Sequence, residues 1–192
     1  MDLIDGGVVE VRPNSVVGSD GVEREVDAII FGTGFSVTDM ALGRVVTGRG
    51  GRTLDDHWRG SPSAHLGTAI AGFPNLFMLL GPNTGLGHSS MIYMIESQLA
   101  HVMDALRVMR DHGAHTVEVR EDVAERFNQT VDRQLEGTVW NTGCASWYLD
   151  DTGRNATLWP DWTFRFRKRT ARFDPSEYEL TNAPAQREAV PA

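Results

Sequence analysis

One stretch of the chain, residues 72–98, constrains the fold more than any other. An apolar run, Leu76–Leu80, leads into Gly81-Pro82-Asn83, passes two further glycines and opens an amphipathic helix near Ser89. This order predicts a strand, a glycine-rich turn and a helix N-terminus. Such a junction brings bare backbone N–H groups and the positive end of a helix dipole to one point. The sequence therefore predicts an α/β chain that can receive an anionic or electron-rich ligand edge.

The other elements support an α/β fold. Two short runs, Val8–Val11 and Ser15–Val17, flank a turn signal and predict a hairpin. A continuous apolar run, Val26–Phe31, is broken by one Asp and is typical of a strand buried on both faces. Hydrophobic periodicity and turn residues predict the rest: a helical turn at 54–58, helices at 89–112, 121–135 and 164–172, and a strand at 116–120.

The long helix carries one apolar stripe, which we expect to face the core. Its members recur at three- and four-residue spacing: Met91, Ile95, Leu99, Val102, Leu106 and Met109. Ser89 or Ser90 is a candidate N-cap and Gly113 a candidate C-cap. Glu96 and Gln98 lie on the polar side, where we interpret them as solvated or as contacts between helices.

Composition excludes several classes of function. The net charge of −8 argues against binding to nucleic acid, which needs clustered Lys and Arg. The single cysteine, Cys144, permits no intrachain disulfide, and the six histidines lack metal-ligand spacing, so no metal is expected. We see neither a signal peptide nor an apolar run of the ~20 residues that span a bilayer. The sequence is interpreted as that of a cytoplasmic protein without a membrane partner.

Several segments of the sequence resemble one protein family. Residues 72–98 closely resemble the C-terminal FAD-contacting segment of flavin-dependent Baeyer–Villiger monooxygenases, which are related to the flavin-containing monooxygenases. Residues 26–35 resemble the Asp-x-x-x-x-Ala-Thr-Gly-Phe signature of the same enzymes, with Gly32 in place of the usual Ala. Ser146-Trp147-Tyr148 and Leu158-Trp159-Pro160 are also similar, and we expect Trp147 and Trp159 to lie in the core or a cavity wall.

The resemblance implies a set of cofactor-binding residues. Gly32, Thr33 and Gly34 would mark the crossing between the NADPH and FAD domains. Gly81, Pro82, Asn83, Thr84 and His88 would form a loop beside the flavin, with Met91 next to the ring and the substrate cavity, and Trp140 and Asn141 near the nicotinamide. From the residues alone, Met91 and Trp140 could equally be packing residues, and His88 a helix cap.

The resemblance also implies what this chain lacks. No GxGxxG occurs, although complete members carry two, one for FAD and one for NADPH. The chain would be the C-terminal part of a flavoprotein with two dinucleotide-binding domains, lacking both Rossmann units. Residues 1–35 would end the NADPH domain, 36–180 would belong to the FAD and substrate domain, and 181–192 would be a disordered tail. The active-site arginine of the family is expected upstream of Met1, so no catalytic residue is assigned.

The implied reaction uses FAD, NADPH and O₂ to insert one oxygen next to a ketone carbonyl, giving an ester or a lactone. Two alternatives stay open. The substrate could be a nitrogen or sulfur compound instead of a ketone. The chain could also be a non-catalytic remnant or binding module. It could be a truncated product or one piece of a split protein that assembles with a separate N-terminal chain.

Overall fold

The computed structural model describes residues 4–32, 40–142 and 146–182. It contains two compact units, Met1–Phe35 and Ser36–Ala192. Most of the tail predicted to be disordered, residues 183–192, lies outside the described residues, while Thr181 and Asn182 end a strand. The assignment of 1–35 and 36–180 to an NADPH and an FAD domain stays a prediction.

The first unit is an antiparallel sheet of three strands in sequence order, β1 (Val8–Arg12), β2 (Ser15–Gly18) and β3 (Glu23–Glu25). The predicted hairpin is confirmed, with Arg12 opposite Ser15 at its turn. Arg12 Nη1 lies 2.5 Å from Glu23 Oε2, so an ion pair spans the sheet from the first strand to the third. Such exposed pairs contribute little to stability, and the backbone ladder holds this unit together.

The strand predicted at Val26–Phe31 is not present. These residues form neither helix nor strand, and Ile30 and Phe31 are 94% and 79% exposed. A buried strand needs hydrogen-bonding neighbours on its edges, and no described strand pairs with this run.

Among its described residues, the second unit contains four α-helices and a two-stranded sheet. The helices are α1 (Leu54–Trp58), α2 (Met91–Asp111), α3 (Glu121–Leu135) and α4 (Thr163–Thr170), and the strands are β4 (Ala114–Val119) and β5 (Tyr178–Asn182). The strands pair antiparallel, with Val117 opposite Leu180. Helix α2 packs against both α4 and β4. Within residues 4–32, 40–142 and 146–182, no helix has the length and apolar character to cross a bilayer.

Local signals explain the helix boundaries. At α1, the Thr53 side chain accepts a hydrogen bond from the backbone of Asp56, whose carboxylate accepts one from the Thr53 backbone, which is a capping box. At α3, Glu121 and Asp122 occupy the first turn, where the helix dipole favours negative charge. Gly113 follows α2 with φ at +63°, so the predicted C-cap glycine is confirmed.

The strand predicted at Leu76–Leu80 is also wrong. The segment forms turns and coil, anchored where Met78 N–H donates to the Thr68 carbonyl at 2.8 Å. Leu80 adopts a left-handed conformation with φ at +52°, which no continuous strand contains. The apolar residues of this run differ in their environments: Met78 is buried in a cluster with Leu54 and Ile70, while Leu79 and Leu80 are exposed.

Helix α2 turns a different face to the core from the one its apolar stripe predicts. The buried residues are Met94, Ser97, Gln98, His101 and Ala105. Gln98, interpreted from sequence as solvated or interhelical, is completely buried. Its side-chain amide donates to the Gly67 carbonyl at 2.9 Å and accepts from Leu80 N–H at 2.9 Å. Glu96 is exposed and pairs with Arg167 of α4 at 2.9 Å, as an interhelical contact.

Two histidines that are far apart in sequence meet inside this unit. His101 Nε2 lies 3.1 Å from the Tyr178 hydroxyl, and His65 Nε2 lies 3.3 Å from Glu177 Oε2. Burial lowers the pKa of His65, and it lowers the pKa of His101 to about 4. The proximity of His65, together with the Arg169 guanidinium, lowers the pKa of Glu177 to about 2. His101 is therefore a neutral packing residue at pH 7.

This cluster predicts loss of stability in acid. The unfolded chain binds a proton on His101 as pH falls through about 6.5, whereas the folded chain resists protonation until pH approaches about 4. The His101 contribution is complete above the unfolded pKa and declines below it. We expect His101 alone to lower the free energy of unfolding by about 2 kcal/mol between pH 7 and pH 5.

Urea unfolding at the two pH values measures this effect. In His101→Gln, the pH-dependent part should shrink by about 2 kcal/mol, because glutamine does not titrate. His115→Gln is the matched control, since the His115 side chain is exposed. An unchanged pH dependence in His101→Gln would show that another group is responsible.

Candidate cofactor site

A cavity of about 360 Å³ lies in the second unit, where the loop after Leu80 meets the start of α2. Its wall is mostly apolar and is formed by segments that are distant in sequence. The lining residues are Met40, Pro62, Leu80, Gly81, Pro82, Thr84, Gly85, Leu86, Met91, Trp147, Tyr148, Ala156, Thr157 and Leu158. Ligand cavities measure roughly 300–1,000 Å³, so this one suits a single ring system better than a whole dinucleotide.

Asn83 fixes the loop that forms one wall. The residue is buried and left-handed, with φ at +57°, and its N–H donates to the Ala156 carbonyl at 2.8 Å. Its side-chain Nδ2 donates to the carbonyls of Asn155 at 2.7 Å and Leu158 at 3.1 Å. The amide of Asn83 is thus fully used inside the protein, so its role here is to join two walls of the cavity.

Arg154 completes this network. Its Nη2 donates to Asn83 Oδ1 at 2.9 Å, and its Nη1 donates to the Pro62 carbonyl at 2.7 Å. Its Nε donates to Asp132 Oδ1 of α3 at 2.8 Å. One half-buried guanidinium therefore connects the loop at 83, the loop at 62 and helix α3, with its charge balanced by Asp132.

Glycines allow backbone segments to touch around the loop. A Cβ on Gly81 would lie 2.4 Å from the Gly67 carbonyl oxygen, and a Cβ on Gly67 would lie 2.1 Å from Thr84 Cγ2. Gly85 donates its N–H to the Thr157 carbonyl at 2.8 Å and accepts from Trp159 N–H at 2.8 Å. This short parallel bridge between Gly85 and Leu158 closes the wall.

The N-terminus of α2 opens at the cavity without a side-chain cap. Ser90 occupies the N-cap position, but its side chain makes no capping hydrogen bond, and the first turn carries no acidic residue. The predicted N-cap position is therefore confirmed at Ser90, but without a capping hydrogen bond from its side chain. Met91, the first helical residue, lines the cavity. The N–H groups at the start of the helix and the helix dipole give this edge a positive potential.

Trp140 and Asn141 lie behind the cavity wall. The Trp140 ring packs against Gly87, where a Cβ would come within 2.3 Å of Trp140 Cη2. It also meets the ring of Tyr148, a lining residue, edge to face at 5.7 Å. Asn141 Oδ1 accepts a hydrogen bond from Asn155 Nδ2 at 2.9 Å. Both residues thus contact the groups that shape the cavity, and their proximity to a nicotinamide stays a prediction.

The remaining predicted residues lie elsewhere. His88 is exposed, and its ring meets Trp162 edge to face at 5.9 Å instead of lining the cavity. Gly32 lies in exposed coil of the first unit, and Thr33 and Gly34 lie outside the described residues. The structure therefore brings Gly81, Pro82, Thr84 and Met91 into one cavity, with Asn83 supporting them.

The sequence does not predict that several other residues lie at the cavity. Met40, Pro62, Tyr148 and Thr157 line the cavity, and Asn155 supports the wall that Leu158 continues. They belong to irregular segments without periodicity, so only tertiary structure reveals their position. Trp147 lines the cavity and Trp159 packs in a cluster with Leu158, as predicted. Among the described residues, no group of three or more His, Cys, Asp or Glu could hold a metal ion.

Comparison with known proteins connects this site to a family. A Baeyer–Villiger monooxygenase of Pseudomonas aeruginosa is 51% identical over 201 residues, which cover 99% of this chain and 38% of that protein. The chain is a homologue of Baeyer–Villiger monooxygenases and fits their C-terminal portion. It spans less than two fifths of the length of this relative. No family model matches the chain.

Solved structures agree with the assignment. Cyclohexanone monooxygenase from Rhodococcus sp. Phi1, bound to NADP+, is 27% identical with a TM-score of 0.73, over 92% of this chain and 34% of that one. The OTEMO complex with FAD and NADP gives 26% identity and a TM-score of 0.74, over 91% and 33%. The mixed α/β fold of this chain therefore matches part of a two-domain flavoprotein fold, as predicted.

The close approach at Gly67 predicts a large cost for a single methyl group. Gly67→Ala places a Cβ against Thr84 and the Pro82 carbonyl at a residue whose φ is +58°. Gly113→Ala has a similar φ, +63°, but open space around the new Cβ. We expect about 1–2 kcal/mol for the backbone strain alone at Gly113, and clearly more at Gly67. Equal losses in urea unfolding would contradict the packing described here.

Proposed function

We propose that this chain forms the flavin-facing and substrate-facing part of an FAD- and NADPH-dependent monooxygenase. The complete enzyme would insert one atom of O₂ next to the carbonyl of a small-molecule ketone, giving an ester or a lactone. The proposal rests on one observation above all. The loop that resembles the flavin-contacting segment of the family lines the same cavity as the uncapped start of α2.

The cavity has the chemistry that a flavin ring needs. Its apolar wall includes Leu80, Met91 and Leu158, which can pack on the faces of a flat aromatic system and exclude water. The uncapped N-terminus of α2 can stabilise the negative charge that a reduced flavin carries at one edge. The donor set of this site therefore agrees with FAD.

The protein around the cavity would hold the loop still. Asn83 and Arg154 fix the backbone at Gly81–Gly85 through buried hydrogen bonds, so the wall does not need to be ordered when a ligand enters. Bound FAD would supply the redox chemistry, accepting hydride from NADPH and activating O₂. The residues of this chain would orient the ring, keep water out and shape the space for the ketone.

Two observations support the proposed nicotinamide position: the resemblance to the family and the packing of Trp140. Trp140 packs between Gly87, which directly follows the lining residue Leu86, and the lining residue Tyr148. We assign Trp140 and Asn141 to the nicotinamide side, and Gly32, Thr33 and Gly34 to the domain crossing. Because the cavity suits one ring system, the phosphate and adenine sites of both cofactors would come from the portion of the family absent from this chain.

A chimera tests the function directly. The 201-residue matched region of the Pseudomonas aeruginosa relative would be replaced by this chain. We expect the purified chimera to retain FAD and to oxidise NADPH in a ketone-dependent manner, with the ester or lactone as product. The measurements are flavin absorbance, NADPH consumption and product analysis by mass spectrometry.

One variant in the cavity wall and one matched variant on the surface serve as controls for the chimera. In the chimera, Met91→Glu places a carboxylate in the apolar wall, and we expect at least a tenfold loss of ketone turnover. Val45→Glu is the matched control, because Val45 is 72% exposed and does not line the cavity. Turnover of sulfides or amines without ketones would favour the heteroatom alternative. A folded chimera without flavin would overturn the proposal.

A further inference from the structure

The loop beside the cavity has two left-handed residues, one on each side of Gly81-Pro82. Leu80 has φ at +52° and Asn83 has φ at +57°. This conformation is unfavourable for a residue with a Cβ, so it persists only where surrounding contacts hold it. Asn83 is held by the buried hydrogen bonds described above, and Leu80 needs an anchor of its own. We call residues 80–85 the cofactor loop.

Gln98 of α2 is the anchor of Leu80. The Gln98 side chain is completely buried, and its Oε1 accepts a hydrogen bond from Leu80 N–H at 2.9 Å. Gln98 does not line the cavity, so it could affect a ligand there only through the loop. Because Leu80 is a lining residue, this bond fixes the backbone at the point where the loop enters the cavity wall.

The nitrogen of the same amide holds a tight turn that contacts the loop. Gln98 Nε2 donates to the Gly67 carbonyl and to Thr68 Oγ1, both at 2.9 Å. The turn, residues 65–69, is closed by backbone hydrogen bonds between its two end residues. Only one orientation of the amide serves both sides, since Leu80 offers an N–H and Gly67 offers a carbonyl. Gln98 thus ties the turn and the cofactor loop to one point on α2.

The turn and the cofactor loop pack directly against each other. A Cβ on Gly81 would lie 2.4 Å from the Gly67 carbonyl oxygen, the same oxygen that accepts a hydrogen bond from Gln98. A Cβ on Gly67 would lie 2.8 Å from the Pro82 carbonyl oxygen. A shift of the turn would therefore displace the cofactor loop, and Gln98 restrains both.

Helix α2 extends this restraint to the other edge of the cavity. Met91, the first residue of α2, lines the cavity, and Gln98 follows it two turns later, about 10 Å along the helix axis. The helix backbone between them is continuously hydrogen-bonded. The amide of Gln98 therefore fixes the distance between the cofactor loop and the helix N-terminus.

We propose that Gln98 is a positioning residue of the complete enzyme, which holds the cofactor loop in place against the N-terminus of α2 and so sets the environment of the flavin ring. The inference rests on the proposed function, because it places a flavin in this cavity. It gives a role to a residue outside the cavity, whose place on the polar side of α2 predicts only solvent or interhelical contacts.

The chemistry of the amide provides a matched pair of variants. Gln98→Met removes the donor and the acceptor and keeps an unbranched side chain of similar length. Gln98→Glu keeps the shape and makes the hydrogen bonding depend on pH. The neutral carboxyl can accept from Leu80 N–H and donate to the Gly67 carbonyl, whereas the ionised form has no donor. Burial raises the pKa of such a carboxyl, so the neutral form should persist above the usual range.

Both variants would be made in the chimera described above. FAD affinity and turnover would be measured from about pH 6 to about pH 9, as ratios to the unsubstituted chimera at the same pH. We expect Gln98→Met to lower FAD affinity at least tenfold at every pH and to shift the visible absorption bands of the bound flavin. We expect Gln98→Glu to keep ratios near one at the acid end and to lose at least tenfold at the alkaline end. Ratios near one for both variants at every pH would overturn the proposal.

His101→Gln controls for a general loss of stability. His101 lies three residues further along α2 and is also completely buried, but its partner Tyr178 does not line the cavity. We expect any loss of stability in this variant to leave the flavin bands and the FAD affinity as in the unsubstituted chimera. Flavin changes as large as those of Gln98→Met would overturn the proposal, because any buried bond on α2 would then have the same effect.

Circular dichroism separates positioning from folding. If Gln98→Met does not fold, Gln98→Glu decides alone, and its FAD affinity should fall at alkaline pH while its circular dichroism stays that of the parent. If the circular dichroism is lost together with the FAD, Gln98 holds the fold as a whole, and the proposal is wrong.

Hydrogen exchange in the isolated chain tests the anchor without any flavin. The Leu80 amide should exchange at least tenfold faster in Gln98→Met than in the unsubstituted chain, while the amides of α3 keep their rates. An unchanged Leu80 rate would overturn the proposal whatever the chimera does. A faster Leu80 rate, combined with an unsubstituted chimera that binds no flavin, would support the anchor and place the failure in the proposed function.

Discussion

The hydrogen bonds of Asn83 are the constraint on which the rest of the site depends. One buried amide joins the loop at 81–85 to the backbone at 155–158, and Arg154 extends the connection to α3. Removing a partner from a buried group costs about 1–3 kcal/mol, because the remaining group loses both its bond and its water. The left-handed backbone at Asn83 is maintained by these bonds and in turn directs Gly81, Pro82 and Thr84 into the cavity.

The buried face of α2 carries polar residues at positions where a helix normally places apolar ones. Gln98 and His101 of α2 are completely buried and bond to loop carbonyls and to Tyr178. These groups fix how irregular loops attach to the helix, since a buried amide tolerates only a few geometries. Leu99, Met103 and Leu106 of the same helix lie on its exposed face instead.

Local structure could be predicted from sequence where local forces decide it. Helix α3 begins and ends where its periodicity predicts, and the capped turn Leu54–Trp58 is found as expected. The strands predicted at 26–31 and 76–80 are absent because strand formation depends on neighbours that a local pattern does not reveal. The resemblance to the family located Gly81, Pro82, Thr84 and Met91, whereas Thr157 and Asn155 reach the site through long-range contacts without a local signature.

The contact between Gly87 and Trp140 links two parts of the chain that are more than fifty residues apart. The indole ring occupies the volume of any side chain at position 87, so the two positions share a single space. A larger side chain at position 87 therefore requires a smaller side chain at position 140. Among relatives, residues at these two positions should therefore change together, and a glycine facing a tryptophan is one of the few pairs that fill the space without overlap.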